Sequence, residues 1–265
     1  AHPRRPHGRT GQVTPLTIGF LGIGVLLVLL ALRVPIAVAL GGVSLVGIGM
    51  VRGWDAMYGA ARSMPYTFIA KWELSAVPMF LLMGAIAYYS GLTAGIFQAM
   101  RLWLSRLPGG LAVATNFASA GFAAASGSSM ATAASMGRLA IPEMLRYRYD
   151  PGMATGVVAA SGTLGSLIPP SVLLIIFGMM TETSIGKLFI AGVLPGILTA
   201  AIYAVMIIGR CTANPKLAPP VADHPTWGER LRVLAGVWQL PVLVFIVIVS
   251  IYGGFATTTE AAAVG

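Results

Sequence analysis

The chain has 265 residues, 57% of them hydrophobic and only 9% charged, with a mean hydropathy of +0.83. A soluble domain carries about 25% charged residues, so this chain cannot cover its surface in water and reads as a polytopic membrane protein. Its net charge of +9 sits mostly in short connections between apolar runs, which orients a chain in a bilayer and does not mark a nucleic-acid partner; a single cysteine, Cys211, excludes an internal disulfide and a cysteine metal cluster.

Residues 1–15, beginning AHPRRPHGRTGQV, are expected to be a disordered tail ahead of a retained span, because Leu16–Leu32 is long for a signal-peptide core. A helical crossing needs about 20 apolar residues. Leu16–Leu32 and Val34–Val51 are the first two spans, jointed tightly at Arg33 and Pro35. The mixed stretch 52–73 carries Trp54, Tyr58, Tyr66 and Trp72, aromatics suited to a membrane interface. Leu74–Ser90 is the third span, with Pro78 near its start.

In residues 92–107 the apolar side chains Leu92, Ile96, Met100, Trp103, Leu104 and Leu107 recur at helical spacing, with Gln98, Arg101, Ser105 and Arg106 off that stripe. This predicts an amphipathic helix lying in the interface. Leu107–Gly137 is rich in Ala, Gly and Ser, which let helices approach closely in lipid. The turn signal SGSS at 126–129 divides it into two short helices, about 110–125 and 130–145, and a re-entrant hairpin fits better than two crossings.

Pro151–Thr181 is 31 uncharged residues interrupted by GTLGSLIPPS at 162–171. The expected division is a helix over 152–161, a non-helical stretch over 162–171 and a helix over 172–180. Leu188–Gly209 is a span kinked near Pro195, residues 210–232 form a Pro-rich polar linker, and Trp227 returns the chain to the interface. Val233–Tyr252 is the last complete span. In the closing GGFATTTEAAAVG, Glu260 follows three threonines and is placed to cap a helix start.

Broken backbone at membrane depth survives only where it is buried in protein or lines a polar cavity, and paired breaks in a membrane chain point to a substrate or ion site. An unwound stretch frees carbonyl oxygens that suit a hard cation such as Na⁺. The adjoining half-helix N-termini favour a carboxylate. Ser126, Ser128, Ser129, Thr163 and Ser171 add hydroxyls, while Pro169 and Pro170 hold the second break open without leaving orphan donors. The competing reading is two Pro/Gly kinks satisfied by neighbouring helices. Enzyme readings find no support: His2, His7 and His224 lie in the tail or linker, no base sits in the run that holds SGSS, and the spans carry no His/Asp/Glu ligand set.

The block SGSSMATAASMGRLAIPEMLRYRYDPGMATGVVAASGTLGSLIPPS, with SIGKLFIAGVLPGIL, IYGGFATTTEAAAVG and the upstream LSAVPMFLLMGAIAYYSGL, resembles the large membrane subunit of TRAP transporters, the DctM-type permease of the tripartite ATP-independent periplasmic class. The resemblance covers about residues 16–265. It implies an all-α polytopic fold of the ion-transporter superfamily, built from inverted repeats that each contain a re-entrant hairpin and a broken helix and that work as an elevator. It implies Na⁺-driven import of an organic acid, such as a C4-dicarboxylate, with no cofactor beyond the coupling ion. The implied partners are a periplasmic substrate-binding protein and a small four-helix membrane subunit, in the bilayer of a bacterial inner membrane. Carried onto this chain, cation binding falls to Ser126, Ser128, Ser129, Gly165, Ile168 and Pro170. The substrate-facing positions are Gly127, Gly162, Thr163, Pro169 and Ser171.

On that reading residues 16–91 are scaffold spans, 92–107 the interfacial helix, 108–209 the transport region, 210–232 a linker, and 233–265 the last span and the start of a second repeat. Only one hairpin and one broken helix are present, so the chain corresponds to the N-terminal half of such a permease. A related organic-anion carrier, such as the tripartite tricarboxylate type, and a non-transporting membrane scaffold are the alternatives. For topology, the family places both ends of the hairpin in the cytoplasm, with Arg33, Arg101, Arg106, Arg146, Arg148, Arg210, Lys216, Arg230 and Arg232. Arg52, Arg62, Lys71 and Lys187 then lie outside. The charge rule prefers the opposite placement of the tail and of 52–73; the hairpin argument is preferred.

Overall fold

The computed structural model describes residues 14–219 and 225–265. The expected tail, apart from Thr14 and Pro15, lies outside the described residues, as do His2, His7, His224 and part of the expected linker. Every regular element among the described residues is a helix. The chain divides into two compact units, residues 1–71 and 72–265.

The first unit contains α1 (Pro15–Ala31), α2 (Ile36–Arg52) and α3 (Trp54–Ile69). Thr14 caps α1 by accepting the Thr17 N–H, and Pro15 occupies the first turn, where its missing N–H leaves nothing unpaired. The joint between α1 and α2 turns at Arg33, whose φ is 63°. α1 buries none of its side chains and exposes Leu16, Phe20, Ile23 and Leu27, a surface tolerable in lipid and not in water. The stretch read from sequence only as interfacial is a regular helix of 16 residues, α3, which continues through Pro65.

The second unit holds the remaining helices: α4 (Ala76–Tyr89), α5 (Leu92–Leu104), α6 (Gly110–Ser126), α7 (Ser129–Arg146), α8 (Pro151–Gly162), α9 (Val172–Thr181), α10 (Ile185–Ala213), α11 (Trp227–Gly236), α12 (Gln239–Tyr252) and α13 (Thr258–Val264). Short 3₁₀ turns precede α4 and follow α8 and α10. Trp72–Tyr89 and α10 are each long and apolar enough to cross a bilayer, and α11 with α12, bent by 45°, makes a third candidate. The last span is therefore not a single straight helix over 233–252. It starts as α11 inside the expected linker, where Thr226 and Glu229 form a capping box, and it breaks at Val237 and Trp238.

α6 is the centre of this unit. It packs against α4, α5, α7, α8, α10 and α12 and is buried along most of its length. Alanine, glycine and serine make that density possible. Asn116 is fully buried in α6 and joins three helices: its Nδ2 donates to the Ala200 carbonyl of α10 at 2.8 Å, and its Oδ1 accepts from Ser161 Oγ of α8 at 3.1 Å.

α5 is amphipathic, but Thr93, Ile96, Phe97 and Ala99 are buried against protein. Arg101, expected off the apolar stripe, reaches α7: it pairs with Glu143 at 2.5 Å, donates to Tyr147 Oη, and lies 5.0 Å from the centre of the Tyr147 ring. Cys211 is buried and packs over Gly109, a left-handed residue (φ 68°) whose Cβ would come 2.5 Å from the thiol sulfur. α10 runs unbroken through Pro195.

Candidate functional site

The tip of the α6–α7 hairpin is two residues long. α6 ends at Ser126, Gly127 turns the chain in the left-handed region (φ 60°), and Ser128 caps α7 by accepting the Ala131 N–H at 3.3 Å. Glycine is the residue that adopts this backbone without strain. Thr132 Oγ1 donates to the Ser128 carbonyl at 2.8 Å and lies 3.1 Å from Ser126 Oγ, so the Ser126 hydroxyl donates to Thr132.

The second break lies directly against this tip. After α8 the chain makes a 3₁₀ turn at Thr163–Ser166, passes through the cis Pro169–Pro170 bond, and restarts as α9 at Val172. Val172 N donates to the Gly127 carbonyl at 3.0 Å. A Cβ on Gly127 would stand 2.7 Å from the Pro170 oxygen, and one on Gly165 would stand 2.6 Å from the Ser128 oxygen. A Cβ on Gly162 would meet Ala133 at 2.6 Å, and one on Gly84 of α4 would meet Ser126 Cα at 2.7 Å. Glycines at these positions let three chain segments close around the tip.

The dipoles of the broken helices meet here. The N-termini of α7 and α9 both begin at the contact, each preceded by a serine in extended conformation, Ser128 and Ser171. The C-terminus of α6 and the 3₁₀ turn after α8 end beside them. Partial positive and partial negative ends therefore share one small region, suited to an anion and a cation held close together. The carbonyls of Ile168, Pro169 and Pro170 accept no hydrogen bond among the described residues. Ser171 Oγ is committed to the Ser166 carbonyl at 2.8 Å, and Ser166 Oγ to the Thr163 carbonyl at 2.6 Å. No group of three His, Cys, Asp or Glu side chains comes together among the described residues, so the oxygen donors at the tip are hydroxyls and carbonyls.

The structure places all eleven sequence-derived positions at the two breaks. Ser126 is buried, Ser128 and Ser129 half-buried, Gly165 and Pro170 buried, and Ile168 half-buried. Of the positions expected to face substrate, Thr163 is exposed, and its hydroxyl bonds to the Ala160 carbonyl at 2.7 Å and lies 3.3 Å from Tyr203 Oη. Gly127, Gly162, Pro169 and Ser171 are buried in the tip contact. Sequence reasoning missed Thr132, Gly84 and Asn116. Thr132 stands one turn past the SGSS signal, and Asn116 is the one amide in the uncharged run Leu107–Gly137.

At its opposite end the hairpin is closed by Tyr149, whose Oη accepts the Leu111 N–H at 3.3 Å. Burial pushes the phenol up to about 12, against a smaller lowering by that hydrogen bond. Asp150 caps α8 through Met153 N at 2.8 Å, and its own N–H donates to the Leu217 carbonyl at 2.9 Å.

The family model described as the tripartite ATP-independent periplasmic transporter, DctM component, matches residues 23–265. Among curated relatives, a C4-dicarboxylate TRAP transporter large permease protein of Pseudomonas aeruginosa is 40% identical over 193 residues, 73% of this chain and 44% of the relative. One with the same description from Vibrio cholerae is 35% identical over 252 residues, 94% of this chain and 52% of the relative. An isethionate TRAP transporter permease protein of Oleidesulfovibrio alaskensis is 35% identical over 252 residues, 95% of this chain and 38% of the relative. The chain thus spans about half the length of the relatives it matches, or less.

Proposed function

The chain belongs to the DctM component family of tripartite ATP-independent periplasmic transporters, a family of membrane permeases and not of enzymes, and on that premise we propose that it supplies the first hairpin and broken helix of a Na⁺-coupled importer of an organic anion. The observation that carries this reading is the contact of the two breaks, Val172 N to the Gly127 carbonyl, with Gly165 against Ser128. Na⁺ is read as bound by hydroxyl and carbonyl oxygens drawn from Ser126, Ser128, Ser129, Gly165, Ile168 and Pro170. The acidic group of the substrate, a carboxylate or a sulfonate, is read as lying beyond it, toward the N-terminal ends of α7 and α9 and the positions Gly127, Gly162, Thr163, Pro169 and Ser171. Binding one charge beside the other offsets the cost of bringing either to membrane depth, which is how one ligand couples to the other.

The relatives' names carry different substrates, C4-dicarboxylate and isethionate. Other relatives are named for ectoine and for sialic acid; what all four share is a small molecule with an acidic group, so the proposal stops at that class. A periplasmic binding protein and a small membrane subunit complete the proposed machine, in an inner membrane crossed several times. Alternating access needs two repeats around one site, so transport is proposed for this half working with a second half.

The test has two arms. First, the purified chain is melted in detergent with NaCl or with choline chloride at equal ionic strength; the proposal expects Na⁺-specific stabilisation. Second, the chain replaces the matching half of the Vibrio cholerae relative, and uptake is measured with that system's binding protein and small subunit. Na⁺-independent melting together with Na⁺-independent uptake sinks the proposal.

A further inference from the structure

Where α5 meets α11, Arg230 is only 6% exposed, and the buried Nε and Nη2 of its guanidinium find no hydrogen-bond partner among the described residues. A buried guanidinium with unmade donors is strongly disfavoured unless an acceptor is supplied. The acid nearest in sequence is spoken for: Glu229 Oε2 accepts the Thr226 N–H at 2.8 Å in the capping box. What surrounds Arg230 is aromatic. Its guanidinium lies 5.4 Å from the centre of the Trp227 ring, and its carbonyl accepts Trp103 Nε1 at 3.3 Å. Trp103 and Trp227 meet edge to face at 6.3 Å.

The setting says what kind of acceptor arrives. Trp227, Leu231 and Leu234 are exposed at i, i+4 and i+7 of α11, with Arg232 exposed on the same helix. An apolar stripe with tryptophan and arginine on a short helix belongs at headgroup depth. A guanidinium fork matches two phosphate oxygens. We propose that Arg230 and the Trp103–Trp227 pair form a binding site for the phosphate of an anionic phospholipid, at the joint between α5 and α11. Trp227, 66% exposed, covers the guanidinium, so the lipid enters as that ring moves aside, and the Arg230 donors pass from unpaired to paired.

The experiment uses the full chain purified in phosphatidylcholine nanodiscs, with phosphatidylglycerol raised in steps and tryptophan emission and retained lipid read together. Expected are a saturable emission change, retention of phosphatidylglycerol at least about tenfold above phosphatidylcholine, and loss of that preference in Arg230→Gln but not in Arg232→Gln. Inorganic phosphate is titrated in parallel; if it produces the same change and displaces the lipid, the site serves free phosphate and the lipid assignment is overturned. Should Arg230→Gln not fold, quenching by brominated lipids decides. Brominated phosphatidylglycerol should quench tryptophan more than brominated phosphatidylcholine, with the excess lost in Trp227→Phe. Equal quenching by the two lipids overturns the proposal.

Discussion

The backbone N–H of Val172 donates to the carbonyl of Gly127 at 3.0 Å, which makes the first residue of α9 a partner of the hairpin tip. Neither segment could end where it does on its own. An open helix terminus away from water leaves polar groups unpaired, and here the tip supplies the acceptor for the first N–H of α9. The tip and the broken helix are therefore one structural unit, and substitutions in either should be felt in both.

Glycines at this contact allow the close approach, so adding a methyl group should separate the segments. In Gly165→Ala the new Cβ meets the Ser128 oxygen at 2.6 Å, and both are backbone positions with no flexible side chain to yield. The expected cost is ~1–3 kcal/mol. Apparent melting of the purified chain should fall. Gly41→Ala, where a Cβ has open space around it, should leave melting unchanged. Equal melting of Gly165→Ala and wild type would show that the tip contact is looser than the structure makes it.

Ser126→Ala, Ser129→Ala and Pro170→Ala, placed in a permease carrying this half, should weaken Na⁺ coupling. Losing one ligand or its framing costs ~1–3 kcal/mol, or roughly five- to a hundredfold in apparent affinity. Thr132→Val removes the hydroxyl that accepts from Ser126 and donates to the Ser128 carbonyl, and it should act in the same direction as Ser126→Ala. Initial uptake against external Na⁺ is the measurement, and an unchanged half-saturation in all four variants would remove these residues from the site.

Both breaks were legible in the sequence because each is built from residues that a helix interior resists: Gly127 between serines, and Pro169–Pro170 after two glycines. The cap at Glu260 was legible as well, since Thr257 and Glu260 form the expected capping box. Asn116 and Thr132 were not. An amide or hydroxyl inside an apolar run carries no signal of its own until the helices it joins, α8 and α10 for Asn116, are brought beside it. The same holds for Arg101: helical periodicity placed it off the buried stripe, and its partner Glu143 lies 42 positions away. α3 went unread as a helix because the mixed stretch 52–73 showed only its interfacial aromatics, and the first turns of the last span because the Pro-rich polar composition of 210–232 spoke for a linker, while the Thr226 cap and packing on α5 favour a helix at α11.

The Arg101–Glu143 pair joins α5 to the second arm of the hairpin with both side chains partly exposed, 24% and 21%. A double-mutant cycle on Arg101→Met and Glu143→Gln should return a coupling of about 0.5–1.5 kcal/mol, shrinking as salt is added. Zero coupling at low salt would mean that the ion pair does not brace the hairpin.

Tyr149 should make the hairpin's closed end sensitive to alkali. Burial raises its pKa from 10 to about 12, so the fold favours the neutral phenol. The stabilisation is fully present below pH 10 and is lost as pH rises from 10 through 12. Melting of the wild type should decline across that window more steeply than melting of Tyr149→Phe, which has no phenol to ionise. Parallel declines would assign the sensitivity to other groups.

The topology of the early spans gives the last prediction. Leu111 N donates to Tyr149 Oη, so the start of α6 and the chain just after α7 lie together at the end of the hairpin away from its tip. The Asp150 to Leu217 bond brings the end of α10 to that face, and the Trp103 to Arg230 bond ties the end of α5 to the start of α11. Within residues 72–265 Arg106, Arg148 and Lys216, with Arg146 at the end of α7 and Arg232 in α11, then belong to the hairpin-end side, while Lys187 lies in the first turn of α10. For this unit the charge rule favours the same placement that the resemblance implies for the hairpin ends, the cytoplasmic one. Their disagreement shrinks to residues 52–71, where Arg52, Arg62 and Lys71 favour the cytoplasm, while Trp72–Tyr89, long and apolar enough to cross, would carry the chain to the other side. A crossing is a physical constraint, whereas three cations near an interface are a statistical one, so α3 should lie outside. The check is a single cysteine at Gly59, an exposed position on α3, in a chain whose buried Cys211 is replaced by alanine. A membrane-impermeant thiol reagent should label it in intact cells. Labelling only after permeabilisation would mean that Trp72–Tyr89 does not cross, and the placement of the first three spans would have to be reversed.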